Sequence, residues 1–128
     1  MTHTARCCCG ACVVEVEGEP VFNALCHCDD CRRRTGSAFG WSIYVRDDQI
    51  VRRDGDYGVY SPAPTPNTRR FFCRACGTTL LWSSPDFMAG CTGIAGGAFA
   101  DPPAPALSAR GAQRQPWVRL PEGWPEAP

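Results

Sequence analysis

Apolar and polar positions alternate in short runs separated by turn residues, which is the pattern of strands. Cys12 to Glu17 alternates and is rich in Val, predicting a strand that Gly18 and Pro20 end, with Val21 to Cys26 returning as its partner. From Cys28 through Thr35 the chain is polar and Arg-rich, which predicts a metal knuckle running into one helical turn before Gly36. Ala38 to Val45 carries Phe39, Trp41, Ile43 and Val45 at period two, the clearest strand signal present. Asp47-Asp48 predicts a turn, Gln49 to Arg53 a short strand, Asp54-Gly55-Asp56 another turn and Tyr57 to Ser61 a further strand, so this stretch reads as a meander.

Pro62, Pro64 and Pro66 break the meander with a loop. Thr68 to Phe72 then leads as a strand into Cys73-Arg74-Ala75-Cys76-Gly77 and out through Thr79 to Trp82, a hairpin with a metal knuckle at its tip. Phe87 to Ile94 predicts one more strand. Gly96, Gly97, Pro102, Pro103 and Pro105 mark a loop, and the tail from Arg110 to Pro128 is expected to pack on the sheet through Trp117 and Trp124. The sum is an all-β or β-rich fold, and 128 residues suit a single domain spanning 1–128 with its core from about 7 to 125.

Composition sharpens this picture in three ways. Hydrophobic content of 44% is enough for a core, while 13 Gly and 12 Pro argue against long helices. Thirteen basic residues, all Arg, balance thirteen acidic ones, which argues against a nucleic-acid or anionic-membrane surface. Met1 to Arg6 holds no apolar run and no segment reaches the roughly 18 apolar residues of a membrane span, so a cytoplasmic location is expected. Disulfides are rare in a reducing cytosol, and ten cysteines therefore point to metal.

Seven of the ten have ligand spacing. Cys7 and Cys9 are one residue apart, which on an extended backbone puts both thiols on one face. Cys73-x-x-Cys76-Gly77 is a knuckle in which Gly supplies the unusual backbone angle, and the two pairs together make a closed tetrahedral four-cysteine site. Cys26-His27-Cys28-x-x-Cys31 supplies three thiols and leaves zinc's fourth position open, the condition for a catalytic ion; the alternative is that these thiols complete one structural site with some of the others. Cys8 should face away from its neighbours, and Cys12 and Cys91 read as small core residues. His27 projects opposite to the ligands, where it either orients a substrate or sits exposed, and His3 in a mobile terminus is assigned no role. Arg33 and Arg34 read as a solvated charge run, whereas Arg32, adjacent to the last ligand, is placed to offset thiolate charge or dock a carboxylate; Gly36-Ser37-Ala38-Phe39 could line the same site through Ser37.

The order Cys7-x-Cys9-Gly10-Ala11, Cys26-His27-Cys28-x-x-Cys31-Arg32, Gly36-Ser37-Ala38-Phe39, Phe72-Cys73-x-x-Cys76-Gly77-Thr78-x-Leu80 and Pro116-Trp117-Val118-x-Leu120-Pro121 resembles the glutathione-dependent formaldehyde-activating enzyme family, whose domain is shared with centromere protein V. The resemblance implies a β-tent fold related to Rab-exchange-factor-like zinc domains. It further implies a structural zinc on Cys7, Cys9, Cys73 and Cys76 and a catalytic zinc on Cys26, Cys28 and Cys31. The implied activity is a carbon–sulfur lyase reaction joining glutathione and formaldehyde as S-hydroxymethylglutathione; the other function to weigh is a non-catalytic zinc-binding or interaction module of the same fold. Ser108, Arg110, Gln113 and Arg114 stand where the family usually carries a His and apolar residues.

Overall fold

The structure, a computed structural model, describes residues 1–63 and 65–128; Pro64, part of the expected proline loop, lies outside the described residues. Among the described residues, eleven strands and one α-helix follow in the order β1 (Thr2–Arg6), β2 (Val13–Glu17), β3 (Phe22–Cys26), α1 (Asp29–Thr35), β4 (Gly40–Arg46), β5 (Ile50–Asp54), β6 (Tyr57–Tyr60), β7 (Arg69–Cys73), β8 (Thr79–Ser83), β9 (Cys91–Ala95), β10 (Leu107–Ala109) and β11 (Glu126–Ala127). They form a three-stranded sheet, β1-β2-β5, and an eight-stranded sheet, β11-β10-β3-β4-β9-β8-β7-β6. The β-rich fold expected from the alternation is the one observed.

Between the sheets lies one core. Val14 and Val16 of β2 meet Ile43 and Val45 of β4, Leu80 and Leu81 of β8 and Ile94 of β9, all of them at 2% exposure or less. Each such side chain contributes about 1.5–3 kcal/mol by leaving water. The alternation of Trp41, Ile43 and Val45 is explained by this: they face the core, while Ser42 and Tyr44 point to the other side of the sheet. That second face is also covered, since Phe22 and Phe87 pack edge-on to Tyr44 at 6.0 and 5.4 Å.

Pairing departs from expectation at several places. β3 does not return beside β2; it lies between β4 and β10, and β2 pairs with β1 and β5 instead. The stretch from β4 to β6 is no meander, because β4, β5 and β6 go to different partners: β4 to β3 and β9, β5 to β2, and β6 to β7. Period two reports which face a residue occupies and carries nothing about which strand lies alongside. The chain start is no loose end either: Thr2–Arg6 forms β1, and His3 pairs opposite Val16 within it. Cys7 to Gly10 is a turn joining β1 to β2, so Cys7 and Cys9 converge through turn geometry and not as same-face strand positions.

The tail adds β11 to the sheet edge beside β10 and is anchored by Val118, which is 6% exposed. Trp117 stands 71% exposed, so of the two expected indole anchors only Trp124 is partly buried.

Candidate metal centres

The first centre is built at the tips of two hairpins. In the β1–β2 turn, Cys7 N–H bonds the Cys12 carbonyl at 3.1 Å and Gly10 N–H bonds the Cys7 carbonyl at 3.0 Å. In the β7–β8 turn, Gly77 N–H bonds the Cys73 carbonyl at 2.8 Å and Cys73 N–H bonds the Thr78 carbonyl at 2.9 Å. Gly10 and Gly77 both take φ of 80°, a region a side chain would strain, which is why each turn needs a glycine there. Cys8 N–H then donates to Thr78 Oγ1 at 3.1 Å, tying one turn to the other.

The four sulfurs of Cys7, Cys9, Cys73 and Cys76 lie within 4.8 Å of one another. Metal–sulfur bonds of about 2.3 Å, the zinc value, set a tetrahedral edge of about 3.8 Å. Cys7 Sγ to Cys9 Sγ is 3.6 Å and Cys9 Sγ to Cys73 Sγ is 3.7 Å, so the cage fits such an ion. Hydrogen bonds prepare the sulfurs for negative charge: Cys12 N–H donates to Cys7 Sγ at 3.2 Å, and the Thr78 hydroxyl lies 3.2 Å from Cys76 Sγ. The Thr78 side chain, followed by the backbone of Thr78 and of Cys9, draws the Cys76 thiol down to about 5. For Cys9 the backbone N–H of Ala11 lowers the value, but contacts with Cys7 and Cys73 prevail and raise it to about 11. Without an ion, Cys9 keeps its proton near neutral pH.

The second centre is contiguous in sequence. Cys26 ends β3, Cys28 caps α1, and Cys31 sits in its first turn, with all three sulfurs within 4.8 Å and Cys26 Sγ to Cys28 Sγ at 3.4 Å. Cys28 has two roles, because its sulfur also accepts the Cys31 N–H at 3.4 Å as the helix N-cap. Gly36 closes the other end in the left-handed region and bonds the Arg32 carbonyl at 2.7 Å. Cys31 lowers the Cys26 thiol, whereas Cys26 and burial push Cys31 up. Among the described residues no fourth His, Cys, Asp or Glu joins these three. The donor set fits a thiophilic ion with a coordination position left over.

The other expected site residues are placed as follows. His27 is fully buried on the opposite side of the strand end, edge-on to Phe39 at 5.7 Å, with both ring nitrogens unpartnered; the exposed alternative does not hold. Burial, then the Arg114 charge, lowers its pKa, keeping the ring neutral. Arg32 pairs through Nη2 with Asp29 one helical turn back. Ser37 Oγ donates to the Phe39 carbonyl at 2.9 Å, holding the turn after the helix. Cys12 is buried as expected, Cys91 is only half-buried, and Cys8 is exposed.

Arg34, expected to belong to a solvated charge run, is instead half-buried with its Nη2 fully covered, and it shares the space beside Gly40 with Cys31. Arg34 lays its guanidinium over the Trp82 indole, 4.0 Å from the ring centre. Trp82 Nε1 donates to Tyr44 Oη at 3.0 Å. The Arg34 signal was present: Cys31 and Arg34 are three residues apart, which is the same face of a helix, whereas Arg32 at one residue's remove points elsewhere. A cavity of about 390 Å³ opens under the tail, between Ser108, Arg114, Arg119, Trp124 and Glu126, and none of the cluster's cysteines lines it.

Two β-sheets over one core, with a four-sulfur cage and a three-sulfur cluster that could each hold a metal ion, define a β-rich domain of the β-tent class. The chain belongs to the glutathione-dependent formaldehyde-activating enzyme family, whose sequence profile matches residues 2–115. A solved Rhodobacter sphaeroides protein from structural genomics shares the fold, with a TM-score of 0.58 and 24% identity over 74% of this chain and 85% of that one. Among curated protein sequences, none matches this chain.

Proposed function

We propose that this chain is a zinc-dependent carbon–sulfur lyase acting on adducts of a small thiol and an aldehyde, with glutathione and formaldehyde as the first pair. The observation that carries the reading is the three-sulfur cluster of Cys26, Cys28 and Cys31, which lacks a fourth protein ligand among the described residues. Zinc bound there would supply Lewis acidity and stabilise a thiolate at neutral pH. Cys26, Cys28 and Cys31 would hold it, and the Cys31 N–H onto Cys28 Sγ keeps that sulfur oriented. In the synthetic direction the thiol's proton goes to solvent, its sulfur bonds to the aldehyde carbon, and the carbonyl π pair moves to oxygen, which takes a proton. The lyase direction breaks the same carbon–sulfur bond.

Cys7, Cys9, Cys73 and Cys76 take the structural zinc in this reading and make the chain one stapled domain. Ten free cysteines support a reducing, cytoplasmic setting. Among the described residues no helix is long and apolar enough to cross a membrane. Arg32, engaged with Asp29, and Ser37, engaged with Phe39, act by holding the helix and its exit turn; His27 holds the back of the strand end.

Exchange NMR of glutathione, formaldehyde and S-hydroxymethylglutathione with and without the zinc-loaded protein tests the activity, because the uncatalysed reaction also runs. An exchange rate above background that Cys31→Ser returns to background supports it. A rate equal to background in both proteins moves the assignment to the second reading, a non-catalytic zinc-binding module. That none of the cluster's cysteines lines the cavity under the tail favours that alternative.

A further inference from the structure

The arginine run after Cys31 divides into three different environments. Arg32 is paired with Asp29, and Arg33 is exposed. Arg70 takes the other carboxylate of the first helical turn, Asp30, so both acids near the cluster are engaged by other arginines. Arg34 differs in having no carboxylate partner among the described residues: its Nη2 is buried without a hydrogen bond, as is Arg32 Nε, but Arg32 still holds Asp29 through Nη2. A buried, unpartnered guanidinium edge is costly, and such groups are normally satisfied.

The fold nevertheless holds that edge in place. The indole of Trp82 supports the guanidinium at 4.0 Å. On the other side Gly40 makes room: a Cβ there would stand 2.5 Å from Arg34 Nη2 and 3.1 Å from Cys31 Cβ. One missing methyl group therefore borders both the guanidinium and a cluster ligand. Tyr44 completes the arrangement, because its Oη accepts from Trp82 Nε1 and so leaves the phenol proton to donate onward. Planar guanidinium donors with a neighbouring hydroxyl match a carboxylate, which takes two parallel N–H bonds and has lone pairs to spare.

We propose that Arg34, supported on Trp82 and admitted by Gly40, is the specificity residue of the three-cysteine site and binds a carboxylate of the thiol substrate held there. This deepens the lyase reading and rests on it only in taking the cluster as the place where the thiol binds. Arg34 positions and selects; the bond-making atoms are the thiol's and the aldehyde's.

Two thiols of equal size separate charge from fit: 3-mercaptopropionate and 3-mercaptopropionamide, titrated calorimetrically into the zinc-loaded protein. The expected result is that the acid-to-amide affinity ratio is at least about tenfold higher in the wild type than in Arg34→Met, with amide binding unchanged by the substitution. Arg34→Lys should recover part of the ratio, and Arg33→Met none of the loss. Zinc content and far-UV circular dichroism establish that each variant is folded and loaded.

An equal ratio in wild type and Arg34→Met overturns the proposal, as does an equal weakening of acid and amide, which would mean that Arg34 merely balances thiolate charge. If Arg34→Met does not fold, the wild type still decides: binding the amide as tightly as the acid overturns it, and preferring the acid supports it. The activity is judged separately. A carboxylate preference without acceleration of the formaldehyde reaction leaves this inference standing and removes the lyase reading, whereas acceleration without the preference does the reverse.

Discussion

The two sulfur clusters use the same side chain for opposite structural ends. The four-cysteine cage joins turns whose ligands Cys9 and Cys73 are 64 positions apart, and two of its sulfurs, on Cys7 and Cys73, are buried in the same core as Val14, Leu80 and Ile94. The three-cysteine cluster is held by a strand end and a helix cap between residues 26 and 31, and none of its cysteines belongs to that core. A cage that closes a long loop removes much of the unfolded chain's freedom, whereas a local cluster removes little. Removing ligands should therefore damage the fold in one case and only the site in the other.

The largest effect is expected from Cys73→Ser. It empties the cage and opens a core position, with a loss on the order of 10 kcal/mol of apparent metal-binding energy, more than a small domain has to spare. Far-UV circular dichroism and the thermal melt should show no cooperative fold; a wild-type melt would break the distinction between the clusters. Cys31→Ser comes next. It should lower the metal content by one equivalent, keep the melt within a few degrees and return thiol–formaldehyde exchange to background, and a mild chelator should produce the same state in the wild type.

Proton release sharpens the contrast further. Cys76, at about 5, is ionised near neutral pH, but Cys9, at about 11, keeps its proton until the ion displaces it. Metal affinity of the cage should therefore rise with pH by about tenfold per unit for each proton displaced, from about pH 6 to about pH 8, and fall on acidification. Competition titrations against a chelator of known affinity check the slope, and a flat profile would contradict the thiol assignment. The smallest effect belongs to Cys8→Ala: Cys8 is exposed and outside both clusters, so the melt should shift by no more than about 0.5 kcal/mol permits.

Much of the local structure was legible from the chain. β2, β4 and the β7–β8 hairpin lie within a residue or two of the alternating runs that predicted them, because the face a strand residue occupies is written in its own periodicity. β1 was missed since Thr2–Arg6 is a polar edge strand with only Ala5 fully buried. β10 and β11, three and two residues long, are defined by the neighbours they pair with and have no pattern of their own. At the site, adjacency to Cys31 singled out Arg32, but successive helical residues diverge by about 100°, and the partner on Cys31's face is Arg34.

What this sequence determined by itself is which cysteines each turn brings together as candidate ligands: Cys7 with Cys9, Cys73 with Cys76, and Cys26 with Cys28 and Cys31. Spacings of one or two residues leave the backbone few conformations, and the glycines at 10 and 77 select among them. The tertiary structure alone decided which strands pair, that the guanidinium over Trp82 is Arg34's, and that Gly40 opens the space beside Cys31. Those outcomes depend on which distant surfaces bury one another, and that is a property of the packed chain as a whole.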